Sequence, residues 1–403
     1  MKYLDFLHMN NQINKLIPEF RFPEFVNEGE WVEDIIENIV ASESSSVALN
    51  KLELKNEGFP VYGADSIVGY INNYQHENEY ISIVKDGSGV GRLNLCESKS
   101  TILGTLTALK SKDNKKYNLN WIYYLLNTVD LKTYIKGSGI PHIYYSDYKK
   151  EKVLVPRKTT EQEKIAHCLS SLDEVMTALS DKLESLKTYK KGLMQNLFPQ
   201  KGEKVPKLRY KEFEKNGDWE FLNGNELFDT ISNKNHNSNL PILAITQELG
   251  AIPRDLINYN VVVTEKSVES YKVIDIGDFI ISLRSFQGGI EYSNYKGICS
   301  PAYIILRKKN EYSENEFYKH YFKTDLYIRN LNKNLEGLRD GKMVSYSQFS
   351  EIKIPNPNPK EQQKIANTIS SLDELIKEQV YKIEQLKLHK KGLMQGLFPK
   401  VKN

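Results

Sequence analysis

Residues 161–174 read EQEKIAHCLSSLDE, and residues 361–374 read EQQKIANTISSLDE. Residues 190–199, KKGLMQNLFP, return at 390–399 as KKGLMQGLFP, again at an offset of 200. A third pair lies ahead of these: PEFRFPEF at 18–25 with GEW at 29–31, and PKLRYKEF at 206–213 with GDW at 217–219. The chain is a tandem duplication with units near 18–200 and 206–400. Between the matching ends, residues 32–155 and 220–355 share little identity. A duplicated protein keeps common what has a common job. The ends are a frame, and the unlike middles are expected to carry two different specificities.

The repeated ends have the period of helices. Ile165, Leu172, Leu179, Leu186 and Leu193 are spaced by seven, with Leu169, Met176, Leu183 and Leu197 as the second row and Lys190 interrupting it. The second copy has Ile365, Leu372, Leu386 and Leu393, with Ile369, Ile376, Ile383 and Leu397; Gln379 and Lys390 interrupt it. Sustained apolar a and d positions make a coiled-coil seam, and a polar residue there costs stability but fixes register. Thr160 with Glu163 has capping-box spacing, Asn358–Pro359 suits a helix start, and Pro199 and Pro399 mark the stops. Gly192 and Gly392 weaken the last turns, which are expected to kink or dock separately. A long helix with one apolar seam needs a partner, and the other copy is the natural one. Two such seams in one chain are expected to pair antiparallel about a pseudo-two-fold axis.

This gives an α+β architecture: two mixed α/β domains separated by two long helices forming an antiparallel coiled coil. The expected boundaries are a first domain at 1–157, a central spacer helix at 158–200, a second domain at 201–356 and a C-terminal spacer helix at 357–403. In the first domain, 60–63, 67–71, 80–84 and 101–109 read as strands, 121–135 as a helix and 146–156 as an extended return. In the second, 240–246, 278–283 and 303–306 read as strands, 316–331 as a helix and 347–355 as the return.

Glycine turns follow the central strand of both domains. They hold Lys85, Ser88 and Arg92 in the first, and Arg284, Ser285 and Gln287 in the second. A second glycine-spaced segment precedes each return, with Lys136, Ser138 and His142 in one and Arg339 and Lys342 in the other. Small residues beside basic and amide side chains let a backbone approach a groove while the side chains reach phosphates and base edges. Any one such loop is equally an ordinary hairpin turn; the set is the signal.

The 403 residues carry 55 basic and 52 acidic side chains, so a nucleic-acid surface has to come from local clustering. Tyr is frequent at 25 residues, and core filling is the expected role of most of them. Cys96, Cys168 and Cys299 are far apart, with no zinc or disulfide spacing, which fits a reducing cytoplasm. No apolar run is long enough to span a membrane. Met9 is an alternative start to Met1.

Signals for catalysis fail one by one. Gly87, Gly89 and Gly91 lack the following helix of a dinucleotide loop, and no GxxxxGK[ST] occurs. Asn356–Pro359 has only a superficial likeness to a methyltransferase motif, and Asp86, Glu97 and Lys99 mimic a nuclease triplet. The chain reads as non-catalytic, with no metal site.

Glu161-Gln162 with Ile165, Glu361-Gln362 with Ile365, Leu172-Asp173, Leu372-Asp373 and the Lys-Lys-Gly-Leu-Met-Gln ends resemble the DNA-specificity subunits of type I restriction–modification enzymes. The lead-in segments at 20–31 and 208–219 and the Pro60-Val61-Tyr62-Gly63 opening resemble them too, so the likeness covers essentially the whole chain. It implies that each variable domain recognises one half of a split, asymmetric double-stranded DNA site and that the helices act as a ruler. It implies two methyltransferase subunits as partners, and two ATP-dependent restriction/translocase subunits where present. S-adenosylmethionine, ATP and magnesium would sit on those partners, with no cofactor in this chain. The second domain, opening at Leu240-Pro241-Ile242-Leu243, departs from the Tyr-Gly type, so its base preference is not implied. From the residues alone, a coiled-coil scaffold whose two globular domains bind protein is the alternative.

Overall fold

The computed structural model describes residues 8–9, 16–236, 239–257, 268–309, 314–333 and 344–399. The chain divides into two compact units, Met1–Ser180 with Tyr381–Asn403, and Asp181–Val380. Two helices, Thr159–Leu197 and Pro359–Leu397, run 39 residues each, roughly 58 Å at 1.5 Å per residue. Each contributes one half to each unit.

In the first unit, Ile165, Ala166 and Leu169 of the first long helix share a core with Leu393, Leu397 and Phe398 from the end of the second. In the other unit, Ile365, Ala366 and Ile369 share a core with Leu197 and Phe198, and Leu193 packs against it half-buried. Start meets end in both, which is the antiparallel pairing expected of two such seams in one chain. Leu172, Met176, Leu179, Leu183 and Leu186, and Leu372, Ile376, the buried Gln379, Ile383 and Leu386, continue the seam as buried or half-buried positions three or four apart.

The lysine interruptions are paired. Lys390 Nζ donates to both carboxylate oxygens of Asp173, at 2.5 and 2.6 Å, in the first unit, and Lys190 pairs with Asp373 in the second. The aspartate of one SSLDE repeat therefore meets the lysine of the other KKGLM repeat. A slip of either helix by one turn would separate both pairs, so these positions fix register.

Asn358 caps the second long helix, its Oδ1 accepting from Glu361 N at 3.0 Å, with Pro359 as the first helical residue. Thr160 does not cap the first. That helix opens at Thr159, because Glu161 N already closes the turn onto Lys158 O, and the Thr159 hydroxyl instead donates to Lys115 O at 3.0 Å. Gly192 and Gly392 do not end or interrupt the helices, since the flanking Leu193 and Leu393 hold the last turn in apolar packing.

The variable middles share one frame. In the first, a four-stranded antiparallel sheet has the order 40–44, 106–111, 80–84, 93–96; in the second, the order is 228–231, 304–308, 279–281, 291–292. The chain enters each domain along a strand, 32–35 or 220–223, and leaves beside it antiparallel, along 152–155 or 353–356. Each domain is thus a loop inserted between a lead-in segment and a long helix.

Five expected elements are divided. The first domain's helix ends at Thr128, where Val129 turns extended, and Leu131–Tyr134 forms a separate short turn. The second domain's helix splits into Asn315–Tyr321 and Asp325–Lys333, because the Thr324 hydroxyl donates to Tyr321 O at 2.8 Å and accepts from Tyr327 N at 3.3 Å, ending one helix and opening the next. The returns are not wholly extended: Tyr145–Tyr148 and Tyr346–Glu351 are helical turns ahead of the exit strands. The strand expected at 101–109 breaks after Ile102, where Gly104 N reaches Val47 O at 2.7 Å. Buried aromatics fill the cores, with Trp31, Trp121 and Phe398 in one and Phe228, Phe279 and Phe322 in the other. Among the described residues, no helix is long and apolar enough to cross a membrane.

Candidate nucleic-acid interface

The site begins with the clamp that holds each domain on its helix. Glu161, 1% exposed, accepts two bonds from Arg21, Nε and Nη2 at 2.8 Å each, and one from Trp31 Nε1 at 3.2 Å. Arg21 Nη1 donates onward to Gly29 O at 2.6 Å. The second copy repeats every bond: Arg209 to Glu361 at 2.8 and 3.0 Å, Trp219 Nε1 to Glu361 at 3.0 Å, and Arg209 Nη1 to Gly217 O at 2.7 Å. The neighbouring glutamines grip the domains from the other side. Gln162 Oε1 accepts from Asn118 N, and Gln362 Oε1 from Glu314 N, both at 2.9 Å and each just ahead of a domain helix. The repeated Glu-Gln pair is therefore the joint between frame and domain, and Arg, Gly and Trp of the lead-in segments are its other half.

In the first domain the glycine turn 85–92 joins the central strand 80–84 to the edge strand 93–96. Gly87, Gly89 and Gly91 all have φ between 80° and 87°, the left-handed region that a side chain resists. The segment 136–142, far off in sequence, is tied to this turn. Ile143 N donates to Lys85 O at 2.8 Å and Gly87 N to Pro141 O at 2.9 Å, while Lys136 and His142 exchange backbone bonds at 2.9 and 2.8 Å. Gly137 is required in that neck, because a Cβ there would stand 2.5 Å from Ile140 O. The structure so brings Lys85, Ser88, Arg92, Lys136, Ser138 and His142 to one end of the central sheet. Ser88, Arg92, Lys136 and Ser138 are exposed; Lys85 and His142 are half-buried. Two of the cations already have partners, Lys136 with Asp147 at 2.6 Å and Arg92 with Asp65, so a phosphate would have to compete for them. The His142 ring lies against Tyr144, with centroids 5.1 Å apart, and Tyr144 is itself exposed. Ile140 and Tyr144 belong to this surface, and sequence reading passed over both.

In the second domain the equivalent turn after the central strand 279–281 is a single helical turn, Ser285–Gly288. Arg284 and Gln287 are exposed on it. Ser285 is not available to a ligand: it is 1% exposed, and its hydroxyl accepts from Ser282 N at 2.9 Å to close the turn. Lys323 braces the turn from below, donating to Gly288 O at 2.9 Å and to buried Glu291 at 2.7 Å. Burial raises the Glu291 carboxyl and lowers the Lys323 ammonium from their ordinary pKa values. Arg339 and Lys342 lie outside the described residues.

The nuclease-like triplet does not assemble. Asp86 sits in the glycine turn, whereas Glu97 and Lys99 follow the far end of the edge strand, whose pairing Tyr80–Cys96 to Ile83–Leu93 spans roughly 10 Å. Among the described residues, no group of His, Cys, Asp and Glu side chains is placed to hold a metal ion.

Two stretches of the chain, 29–188 and 194–387, match the family model of the type I restriction modification DNA specificity domain. The chain is 28% identical over 346 residues to the type I restriction enzyme MjaVIII specificity subunit of Methanocaldococcus jannaschii, covering 80% of this chain and 78% of that protein. It is 25% identical over 391 residues to the putative type I restriction enzyme MjaX specificity subunit of the same organism, 90% of this chain and 85% of the other. Its fold is similar to the crystal structure of a type I restriction-modification system S subunit from M. genitalium, with a TM-score of 0.65 at 18% identity over 98% of this chain and 99% of that one.

Proposed function

Since the chain belongs to the type I restriction–modification DNA-specificity family, we propose that it recognises a split, asymmetric site in double-stranded DNA, one half with each variable domain. One observation carries this reading. The two domains share a sheet order and a clamp bond for bond, yet the loops at the same end of their central strands differ. A common frame with unlike loops is what two different half-sites at a fixed separation require.

In this reading Lys85, Ser88, Arg92, Lys136, Ser138 and His142 face one half-site, and Arg284, Gln287, Arg339 and Lys342 the other. Lysines and arginines position the loops on phosphates, and the amide and hydroxyl groups read base edges. The chain supplies recognition and no chemistry. Two methyltransferase subunits carry S-adenosylmethionine and modify adenine N6, a step that takes the base out of the stack. Two restriction/translocase subunits, where present, carry ATP and magnesium. The exposed apolar residues on the long helices, Val175, Tyr189, Leu375, Tyr381 and Leu388, suit docking of protein partners. The assembly would work in the cytoplasm, where the DNA is.

The test is selection of duplexes from a randomised pool by the chain in complex with its methyltransferase, at more than one salt concentration. Two short enriched blocks with a spacer of fixed length are expected. Enrichment of one continuous block, or none, would overturn the reading.

A further inference from the structure

Ile140 is 71% exposed, at the tip of a loop whose other tip residues, Gly137, Ser138 and Gly139, put almost nothing beside it. Single exposed apolar residues are common and need no explanation by themselves. Ile276 in the other unit is 68% exposed, beside Gly277. The difference is position. Ile276 precedes the central strand 279–281 and so lies at the end away from the glycine turn, whereas Ile140 is carried by the loop bonded to the glycine turn through Gly87 N and Pro141 O.

The loop is also tied at its neck. Lys136 and His142 close its neck with two backbone bonds, Ile143 N anchors its base to Lys85 O, and Pro141 limits the backbone on one side of the tip. The β-branched side chain has few rotamers to lose. A tied neck presenting one apolar side chain between Lys136, Ser138 and His142 is a surface for a mostly polar partner with one apolar feature at a fixed place. Duplex DNA offers such a feature in its major groove, the C5 methyl of thymine. The groove width agrees: about 12 Å in the major groove admits a two-stranded ribbon such as this neck, and about 6 Å in the minor groove does not.

We propose that Ile140 is a specificity-determining residue that reads a thymine methyl group in the half-site of the first domain. The inference rests on the DNA-recognition reading above and goes beyond it by assigning one side chain to one chemical group. No distortion of the duplex is needed, in contrast to an apolar wedge, which has to unstack a base step.

The experiment measures binding of the chain in complex with its methyltransferase to duplexes of its own selected site, with deoxyuridine replacing thymine at one position at a time. Wild type is expected to lose roughly threefold to tenfold in affinity at one thymine of the first half-site, the scale of one buried methyl group. Ile140→Ala should start weaker by a similar factor and be indifferent to that replacement. Its response to deoxyuridine in the second half-site should match wild type, which shows that the variant is folded and assembled. Ile276→Ala should behave as wild type throughout. Equal responses of wild type and Ile140→Ala at every thymine, or a first half-site without thymine, would overturn the proposal while leaving bipartite recognition intact. An unstacking signal from 2-aminopurine that is lost in Ile140→Ala would overturn it in favour of a wedge. Absence of any sequence preference in wild type removes the underlying reading, and the proposal with it.

Discussion

Glu161 and Glu361 are charged groups kept almost entirely from water, and each is stable there because three donors converge on it. Removing one partner from such a site leaves an unpaired buried charge, which costs about 3–5 kcal/mol. Arg21→Ala should destabilise the first unit by that amount, and Arg209→Ala the second, as read by urea denaturation with tryptophan fluorescence. Replacing Arg21 and Glu161 together by Met and Leu should recover most of the loss; a double variant as unstable as the single one would show that the clamp is not the cause. His320 gives a residue-scale prediction with a pH sign. Burial first, then Lys190 and Lys319, lowers its pKa to about 3, and its Nε2 lies 3.0 Å from the Ser370 hydroxyl. The unfolded chain protonates near pH 6.5 and the folded one does not. Stability is therefore full above about 6.5 and declines below it by about 1.4 kcal/mol per pH unit until the folded value is reached. His320→Gln should make the slope between pH 6.5 and 5 shallower, with His76, whose imidazole pKa burial also lowers, supplying the rest; an unchanged slope would contradict the assignment.

At the scale of elements, the long helices were the most legible part of the sequence, because a seam of Leu and Ile every three or four residues has one physical solution. The two lysine interruptions were visible as well, but their aspartate partners were not. Asp173 and Asp373 lie on the other helix, and only the antiparallel register brings them to Lys390 and Lys190. The domain helices were overextended for a related reason. Apolar spacing continues through Val129 and Phe322, and nothing in a periodicity count marks Thr324 as the residue that ends one helix and caps the next. The bond between the 85–92 and 136–142 loops was illegible because it is a backbone contact across some fifty residues. Ser285 was misplaced since a serine in a turn serves a ligand or the turn itself, and burial decides which. The ruler role that the family resemblance implies for the helices leads to a prediction at this scale. Removing residues 176–182 together with 376–382 shortens both helices by seven residues, about 10 Å, or roughly three base pairs. The deletion keeps the lysine–aspartate residues themselves. The spacer of the selected site should shorten by about that much with both half-sites unchanged. Deleting a heptad from one helix alone should instead destabilise the protein, and a changed half-site in the matched deletion would count against the ruler.

For the whole molecule, the division between a repeated frame and two unlike loop sets is the claim on which the others depend. It predicts that the two halves of the target are independent. Replacing residues 220–355 by the matching segment of a relative should exchange one half-site and leave the other and the clamp at Glu161 untouched. The most direct single measurement is single-molecule sequencing of DNA modified by this chain with its methyltransferase. Methylated adenines should fall in a motif of two defined blocks separated by an undefined spacer of constant length. Modified adenines in one uninterrupted motif, or with no common sequence around them, would contradict the account.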